Sequence, residues 1–88
     1  MDRETRLKRL RFRSWHRGTK EADLLIGGFF DRHGEGWNDD DIALFESLLE
    51  EQDVDIMAWA MGTDTAPERY RGTILDALKT LNYVPISE

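Results

Sequence analysis

Apolar residues recur at helical spacing between the turns of this chain, and this periodicity limits the possible folds more than any other feature. In the last such segment Tyr70, Ile74, Leu78 and Leu81 lie three or four residues apart, on one face of a helix. No segment alternates apolar and polar residues between hairpin turns, so strands are not expected. The sequence predicts an all-α protein, a single small bundle of about five short helices.

The length of 88 residues fits one domain with a single modest core. We expect this domain to span residues 1–88, with an ordered core at about 3–82 and a loose tail at 83–88. No linker, repeat or low-complexity segment divides it.

The absence of cysteine excludes disulfides, thiolate metal sites and thiol catalysis. The longest apolar runs are far shorter than the roughly 20 residues of a membrane-spanning helix. The basic N-terminus lacks the apolar stretch of a secretory signal, and the core-like Leu7, Leu10, Phe12 and Trp15 begin too early for a leader. We therefore expect an intact cytoplasmic chain without membrane insertion.

Charge is divided unevenly along the chain. Residues 1–20 hold eight lysines and arginines and two acids, a net charge of +6, whereas residues 21–88 hold four and sixteen, a net charge of −12. This division suits a partner of complementary charge, which would mainly affect association rate and register. It equally suits a basic helix that pairs with the acidic body of its own chain, and the sequence leaves both interpretations open.

Glycines and capping residues mark the first predicted helix boundaries. The first helix is expected over about residues 2–15, with Gly18 at the break and Thr19 as the N-cap of the second helix. Gly27 and Gly28 lie inside the second helix and indicate a kink or the close approach of another backbone. The expected buried positions of these helices are Leu7, Leu10 or Arg11, Ser14 or Trp15, Ala22, Leu25, Ile26 and Phe29.

Capping patterns also mark the later helices. Asn38 precedes three aspartates and predicts the N-cap of a third helix over about residues 39–51. Asp53 is expected to cap a short fourth helix. Thr65 and a glutamate three residues later have capping-box spacing, so a last helix is predicted from about Pro67 onward.

No group of residues predicts catalysis or a bound metal. His16 and His33, the only histidines, stand seventeen residues apart without metal-ligand spacing. The aspartates after Asn38 lack the alternating ligands of a calcium loop. The glycine-rich segments match neither a P-loop nor a dinucleotide fingerprint. We expect that the protein is not an enzyme.

The segment RLKRLRFRSWHR mixes arginines with aromatic residues, a composition found in nucleic-acid-binding helices. A nucleic-acid-binding regulator or antitoxin-like module is therefore the alternative function. The net charge of −12 on residues 21–88 opposes it, because such a body repels a phosphate backbone. No nucleic-acid partner is expected.

The segment HRGTKEAD, residues 16–23, is the candidate site. Gly18 exposes backbone N–H groups at a helix start, and Arg17 and Glu21 offer a donor fork and an acceptor around the same turn. Core packing requires neither charge. The two side chains either contact another protein or pair with each other across the turn, and their spacing alone slightly favours the pairing.

RGTKE, from Arg17 to Glu21, matches the RGxxE motif of the SdhE and succinate dehydrogenase assembly factor 2 family. The resemblance covers about residues 5–82 and includes RGTKEADLLIGGFF, LFESLLEEQD, DIMAWAMG and a later Pro-Glu pair. It implies a small helical bundle that assists covalent attachment of FAD to a histidine of the succinate dehydrogenase flavoprotein. In this interpretation FAD is attached to the partner, and nothing in this sequence resembles a flavin pocket.

By this resemblance the partner is the succinate dehydrogenase flavoprotein subunit, with the fumarate reductase flavoprotein as a second candidate; a monomer is expected. Many family members carry a second arginine where this chain has His16. These expectations require that the junction faces outward with its side chains free. The expected partner-binding residues are Arg13, His16, Arg17, Gly18, Glu21 and Asp23.

Overall fold

The computed structural model describes residues 2–80, which contain helices and no strand, so the predicted all-α fold is confirmed. None of the helices in this part of the chain is long and apolar enough to cross a membrane. The predicted loose tail at 83–88 lies outside the described residues. The elements are α1 (Arg3–Trp15), α2 (Lys20–His33), a 3₁₀ turn (Gly34–Gly36), α3 (Asp39–Leu48), α4 (Asp53–Met61), a second 3₁₀ turn (Glu68–Tyr70) and α5 (Thr73–Thr80).

Side-chain caps begin α2 and α3 as predicted. The Thr19 hydroxyl accepts a hydrogen bond from the amide of Ala22 at 3.1 Å, and the Asn38 side chain accepts one from the amide of Asp41 at 2.8 Å. The amide of Asn38 in turn donates to the Asp41 carboxylate at 3.2 Å, which completes a capping box. Each cap stabilises its helix by about 1 kcal/mol.

The connection between α3 and α4 differs from the prediction. α3 ends at Leu48 instead of near residue 51, because the amides of Glu50 and Glu51 bond to carbonyls three residues back and form a tight turn. Gln52 takes the N-cap position of α4 and makes no side-chain cap bond. The prediction of Asp53 as the cap is therefore wrong.

The last helix also begins later than predicted. The segment Glu68–Tyr70 forms a 3₁₀ turn without a side-chain cap, and α5 begins at Thr73. Gly72 separates the two with a φ of +142°, a conformation that interrupts a right-handed helix. The predicted helix start at Pro67 is wrong, and the predicted capping box at Thr65 does not form.

The core is centred on α2, whose predicted apolar face is confirmed. Phe29 and Phe30 meet Trp37 and Phe45 in an aromatic cluster, with ring centroids 4.8–6.0 Å apart. Burying each such ring stabilises the fold by about 1.5–3 kcal/mol. The other buried apolar residues are Leu10, Ala22, Leu25, Ile26, Ile42, Leu48, Leu49, Ile56, Trp59, Ala60, Ala66, Tyr70, Ile74, Leu75 and Leu78.

α1 packs on α2 through one face, with Leu10 and Ser14 buried. A Cβ built on Gly27 would overlap the Trp15 indole, so the close approach predicted at this glycine is made by a side chain and not by a backbone. Phe12, predicted to be core-like, is 62 % exposed. That prediction is wrong because Phe12 lies about 200° around the helix from Leu10.

Candidate partner-binding site at the α1–α2 junction

The turn between α1 and α2 is open at Gly18. Its φ of +118° lies in a region that favours glycine, and a Cβ built there would meet no atom within 4 Å. Thr19 is exposed and caps the helix that follows. The predicted helix break is confirmed, and its backbone is accessible to another protein.

The side chain of Arg17 points into the bundle and is only 11 % exposed. Its Nε donates to Oδ1 of Asp53 at 2.7 Å, and its Nη2 donates to the carbonyl oxygens of Leu49 at 3.0 Å and Glu51 at 3.3 Å. These bonds tie the α1–α2 corner to the α3–α4 loop. The expectation that the side chains of this corner are free is therefore wrong for Arg17.

Asp23 holds the backbone of the same turn. Its Oδ1 accepts a hydrogen bond from the amide of Arg17 at 2.6 Å, and its side chain is half-buried in the first turn of α2. Because this bond spans Gly18, it fixes the turn from the α2 side while the Arg17 side chain fixes it from the α3–α4 side.

Glu21 faces solvent in the first turn of α2. Its carboxylate has no hydrogen bond or ion pair with any residue of 2–80. Since Arg17 pairs with Asp53, the interpretation that Arg17 and Glu21 pair across the turn is wrong. Glu21 stays an unpaired acceptor three residues after Gly18.

A shallow groove runs between the end of α1 and the start of α2. His16 at its edge is exposed, and its Nδ1 lies 2.7 Å from the carbonyl oxygen of Phe12. Arg13 does not line the groove, because its Nη2 pairs with Glu50 at 2.7 Å. The structure thus brings His16, Gly18 and Asp23 together, and the full lining is Trp15, His16, Gly18, Thr19, Lys20, Asp23 and Leu24.

The basic N-terminal segment, residues 1–20, pairs in part with the acidic body of its own chain. Lys8, Arg9 and Lys20 form no ion pair with any described residue, so part of the positive charge remains available to a partner. The internal pairs join Arg6 to Glu46 at 2.9 Å, Arg11 to Asp31 at 3.8 Å, Arg13 to Glu50 at 2.7 Å and Arg17 to Asp53 at 2.7 Å.

Asp53 belongs to the site although local sequence patterns do not reveal it. It lies 36 positions after Arg17 and stands at the start of α4, where an aspartate suggests a cap. The α3–α4 loop just before Asp53 is itself held in place, because the Tyr70 hydroxyl and the Arg69 guanidinium donate to the same Glu51 oxygen at 2.6 and 2.7 Å. The sequence offered one signal for this contact, because core packing does not require an arginine at position 17.

The hydrogen bonds that Glu51 accepts predict a pH dependence of stability. The hydrogen bond from Tyr70, with that from Arg69, lowers the pKa of the Glu51 carboxyl below its ordinary value of 4.5. A lowered pKa stabilises the fold above the unfolded-state value, and this stabilisation is lost as pH falls through the folded-state value. We expect Glu51→Gln to lower the urea midpoint at about pH 7, with a difference that shrinks below about pH 4.

Glu50→Gln is the matched control, because the Glu50 side chain is 74 % exposed and bonds to a single arginine. Its effect on the urea midpoint should be small at every pH, as for most surface ion pairs. A Glu51→Gln difference that stays constant from neutral to acidic pH would contradict the prediction.

Fold and site together define a small helical bundle with an open interhelical turn as its candidate contact surface. The family model described as the flavinator of succinate dehydrogenase matches residues 8–82, and the chain belongs to this family. The resemblance found in the sequence is confirmed.

Individual relatives agree with the family model. The chain is 38 % identical over 63 residues to the FAD assembly factor SdhE of Acetobacter pasteurianus, covering 72 % of this chain and 58 % of that relative. It is 36 % identical over 78 residues to the mitochondrial succinate dehydrogenase assembly factor 2-B of Drosophila mojavensis, covering 86 % and 50 %. It is 40 % identical over 58 residues to the mitochondrial assembly factor 2 of Meyerozyma guilliermondii, covering 66 % and 43 %.

The chain spans about half the length of the curated relatives it matches. Their names describe assembly factors and not enzymes, in agreement with the expectation that this protein is not an enzyme. Nothing in the family or the relatives supports the alternative of a nucleic-acid-binding regulator.

Proposed function

We propose that this protein is an assembly factor that binds the flavoprotein subunit of succinate dehydrogenase and promotes covalent attachment of FAD to it. The family and the names of the relatives support the proposal. The structural observation that carries it is the open turn at Gly18, fixed from both sides, with the unpaired Glu21 beside it. A partner can contact this turn without breaking any bond that holds the bundle.

The residues of the junction divide into two roles in this proposal. Gly18 and Glu21 contact the flavoprotein, since both are exposed and unengaged. Arg17 and Asp23 hold the turn, since the side chain of each is bonded within the protein. His16 borders the contact.

Assistance of this kind needs no catalytic group on the assembly factor. Attachment requires that the flavin and its acceptor residue be held at near-attack distance, and such positioning can lower a barrier by several kcal/mol. A protein that binds the attachment-competent conformation of the flavoprotein more tightly raises the population of that conformation. An increase from about one in a hundred to about one half needs a preference of about 100-fold. FAD is the group attached to the partner, and the chain needs no cofactor of its own.

The proposal extends to three properties of the whole protein. We infer that it acts as a monomer, because the proposed contact uses one turn of one chain. We infer a cytoplasmic location, the compartment in which we propose that the flavoprotein subunit receives its FAD. We also infer that the fumarate reductase flavoprotein is a second client, as the family resemblance implies.

The proposal is tested with purified flavoprotein subunit, FAD and this protein. Covalent flavin survives denaturation and fluoresces in a gel, whereas free FAD runs away from the protein band. We expect several-fold more covalent flavin when the assembly factor is present. Equal fluorescence with and without it would refute the proposal, and a parallel reaction with the fumarate reductase subunit tests the second client.

A further inference from the structure

One face of α1, next to the open turn at Gly18 that we call the docking turn, carries an exposed aromatic side chain. Phe12 is 62 % exposed, although a phenylalanine in so small a protein is usually buried. Its ring stacks on His16, with centroids 4.0 Å apart and planes inclined by 22°. Because Nδ1 of His16 also lies 2.7 Å from the Phe12 carbonyl oxygen, the imidazole donates to that oxygen and the ring pair is held in place.

A ring pair that is already fixed makes an effective contact surface. Aromatic side chains bury a large area, and a preorganised side chain loses little conformational freedom when a partner covers it. His16 also lines the groove that contains Gly18, so the ring pair is continuous with the candidate docking turn.

The surroundings of Phe12 are basic. Lys8 and Arg9 lie one helical turn before Phe12 on the same face, and both are exposed. Neither forms an ion pair with any residue of 2–80. Since the whole chain carries a net charge of −6, an acidic partner is attracted to this face and repelled by most of the others.

We propose that the aromatic–basic face, formed by Lys8, Arg9, Phe12 and His16, is a second contact surface for the flavoprotein and docks on an acidic area with an apolar pocket that receives Phe12. This inference rests on the proposed function and adds the chemistry of the partner surface. A protein fits better than an anionic membrane or a nucleic acid, because the net charge of −12 on residues 21–88 repels an extended phosphate surface.

The test measures the dissociation constant between the purified flavoprotein subunit and the full chain. We expect Phe12→Ala to weaken binding about 30-fold, the effect of truncating an aromatic anchor. The matched control is Met61→Ala, which removes another exposed large apolar side chain, 52 % exposed, at the far end of α4. Its affinity should equal that of the wild type, and both variants should keep the wild-type urea midpoint.

The charge of the face is tested with a double variant. Lys8→Gln with Arg9→Gln should lower the association rate about tenfold at low salt and flatten its salt dependence. The control variant, Arg71→Gln with Lys79→Gln, also removes one arginine and one lysine, from exposed positions before and in α5. It should leave the association rate unchanged.

The outcomes separate this inference from the proposed function. A wild-type chain that does not bind the flavoprotein refutes both. Binding by the wild type with equal affinity for Phe12→Ala refutes the aromatic–basic face alone. Phe12-dependent binding to phosphatidylglycerol vesicles or duplex DNA, without an effect on flavoprotein affinity, assigns the face to a different partner and also overturns the inference.

Discussion

Replacing Gly18 with arginine should abolish the flavin attachment that this protein promotes while the bundle stays folded. The position is exposed, and a Cβ built there would meet no atom of the protein within 4 Å, so an arginine side chain has room to project from the turn to where the partner approaches. The φ of +118° adds a strain of about 1–2 kcal/mol, which a folded domain tolerates. We expect the rate of covalent flavin formation, followed by in-gel fluorescence, to fall at least tenfold, an effect of about 1.4 kcal/mol or more on the assisted step.

Gly72 supplies the matched control for this variant. It is also exposed, has a φ of +142° and has no atom within 4 Å of a built Cβ, but it lies between the second 3₁₀ turn and α5. Gly72→Arg should therefore carry a similar strain and retain assisted flavin attachment within about twofold. Equal losses in the two variants would show that strain, and not the docking turn, explains the defect of Gly18→Arg.

The parts of the fold that the sequence predicted are those with local causes. Thr19 and Asn38 cap helices through bonds to an amide three residues away, so both partners lie within one short segment. The buried face of α2 follows from helical periodicity, because Leu25, Ile26 and Phe29 share one side of the helix. Neither feature depends on how the helices are arranged in space.

The predictions of burial and of helix boundaries that were wrong are those in which two outcomes fit the local sequence equally well and tertiary packing decided between them. Phe12 and Leu10 are both apolar residues of α1, and contact with α2 buries one face and leaves the other exposed. The spacing of Thr65 and the glutamate after Pro67 suits a capping box, yet Gly72 divides this segment into a 3₁₀ turn and a separate helix. Local pattern does not specify such a division.

The candidate site shows the same limit. Arg17 and Asp53 are 36 positions apart, and each had a local explanation, docking for one and capping for the other. Their ion pair at 2.7 Å gives each residue a contact within the bundle that its local explanation does not include. The RGxxE motif thus has an inner arginine that supports the turn and an outer glycine and glutamate that are accessible, a division that spacing alone could not show.

The inner role of Arg17 predicts a large loss of stability on its removal. Breaking a buried ion pair costs about 3–5 kcal/mol, and because the Asp53 side chain is a quarter exposed we expect Arg17→Ala to cost about 2–3 kcal/mol. Asp53→Ala should cost about 1–2 kcal/mol, since Arg17 keeps its bonds to the carbonyls of Leu49 and Glu51. Urea unfolding of the single and double variants should give a coupling energy of about 1–3 kcal/mol.

The rate of flavin attachment with these variants distinguishes two roles of Arg17, support of the turn and direct contact with the partner. If Arg17 supports the turn, Asp53→Ala slows attachment as well, at a temperature where every variant is fully folded. Asp55→Ala is the control, because it removes the other acidic residue from the first turn of α4, an effect of about 0.3–1 kcal/mol on that helix, and leaves Arg17 paired. Normal attachment with Asp53→Ala and none with Arg17→Ala would place the guanidinium on the flavoprotein and overturn its assignment as a support. Because Asp53 lies outside the motif, a defect there tests the corner without altering any residue of the proposed contact.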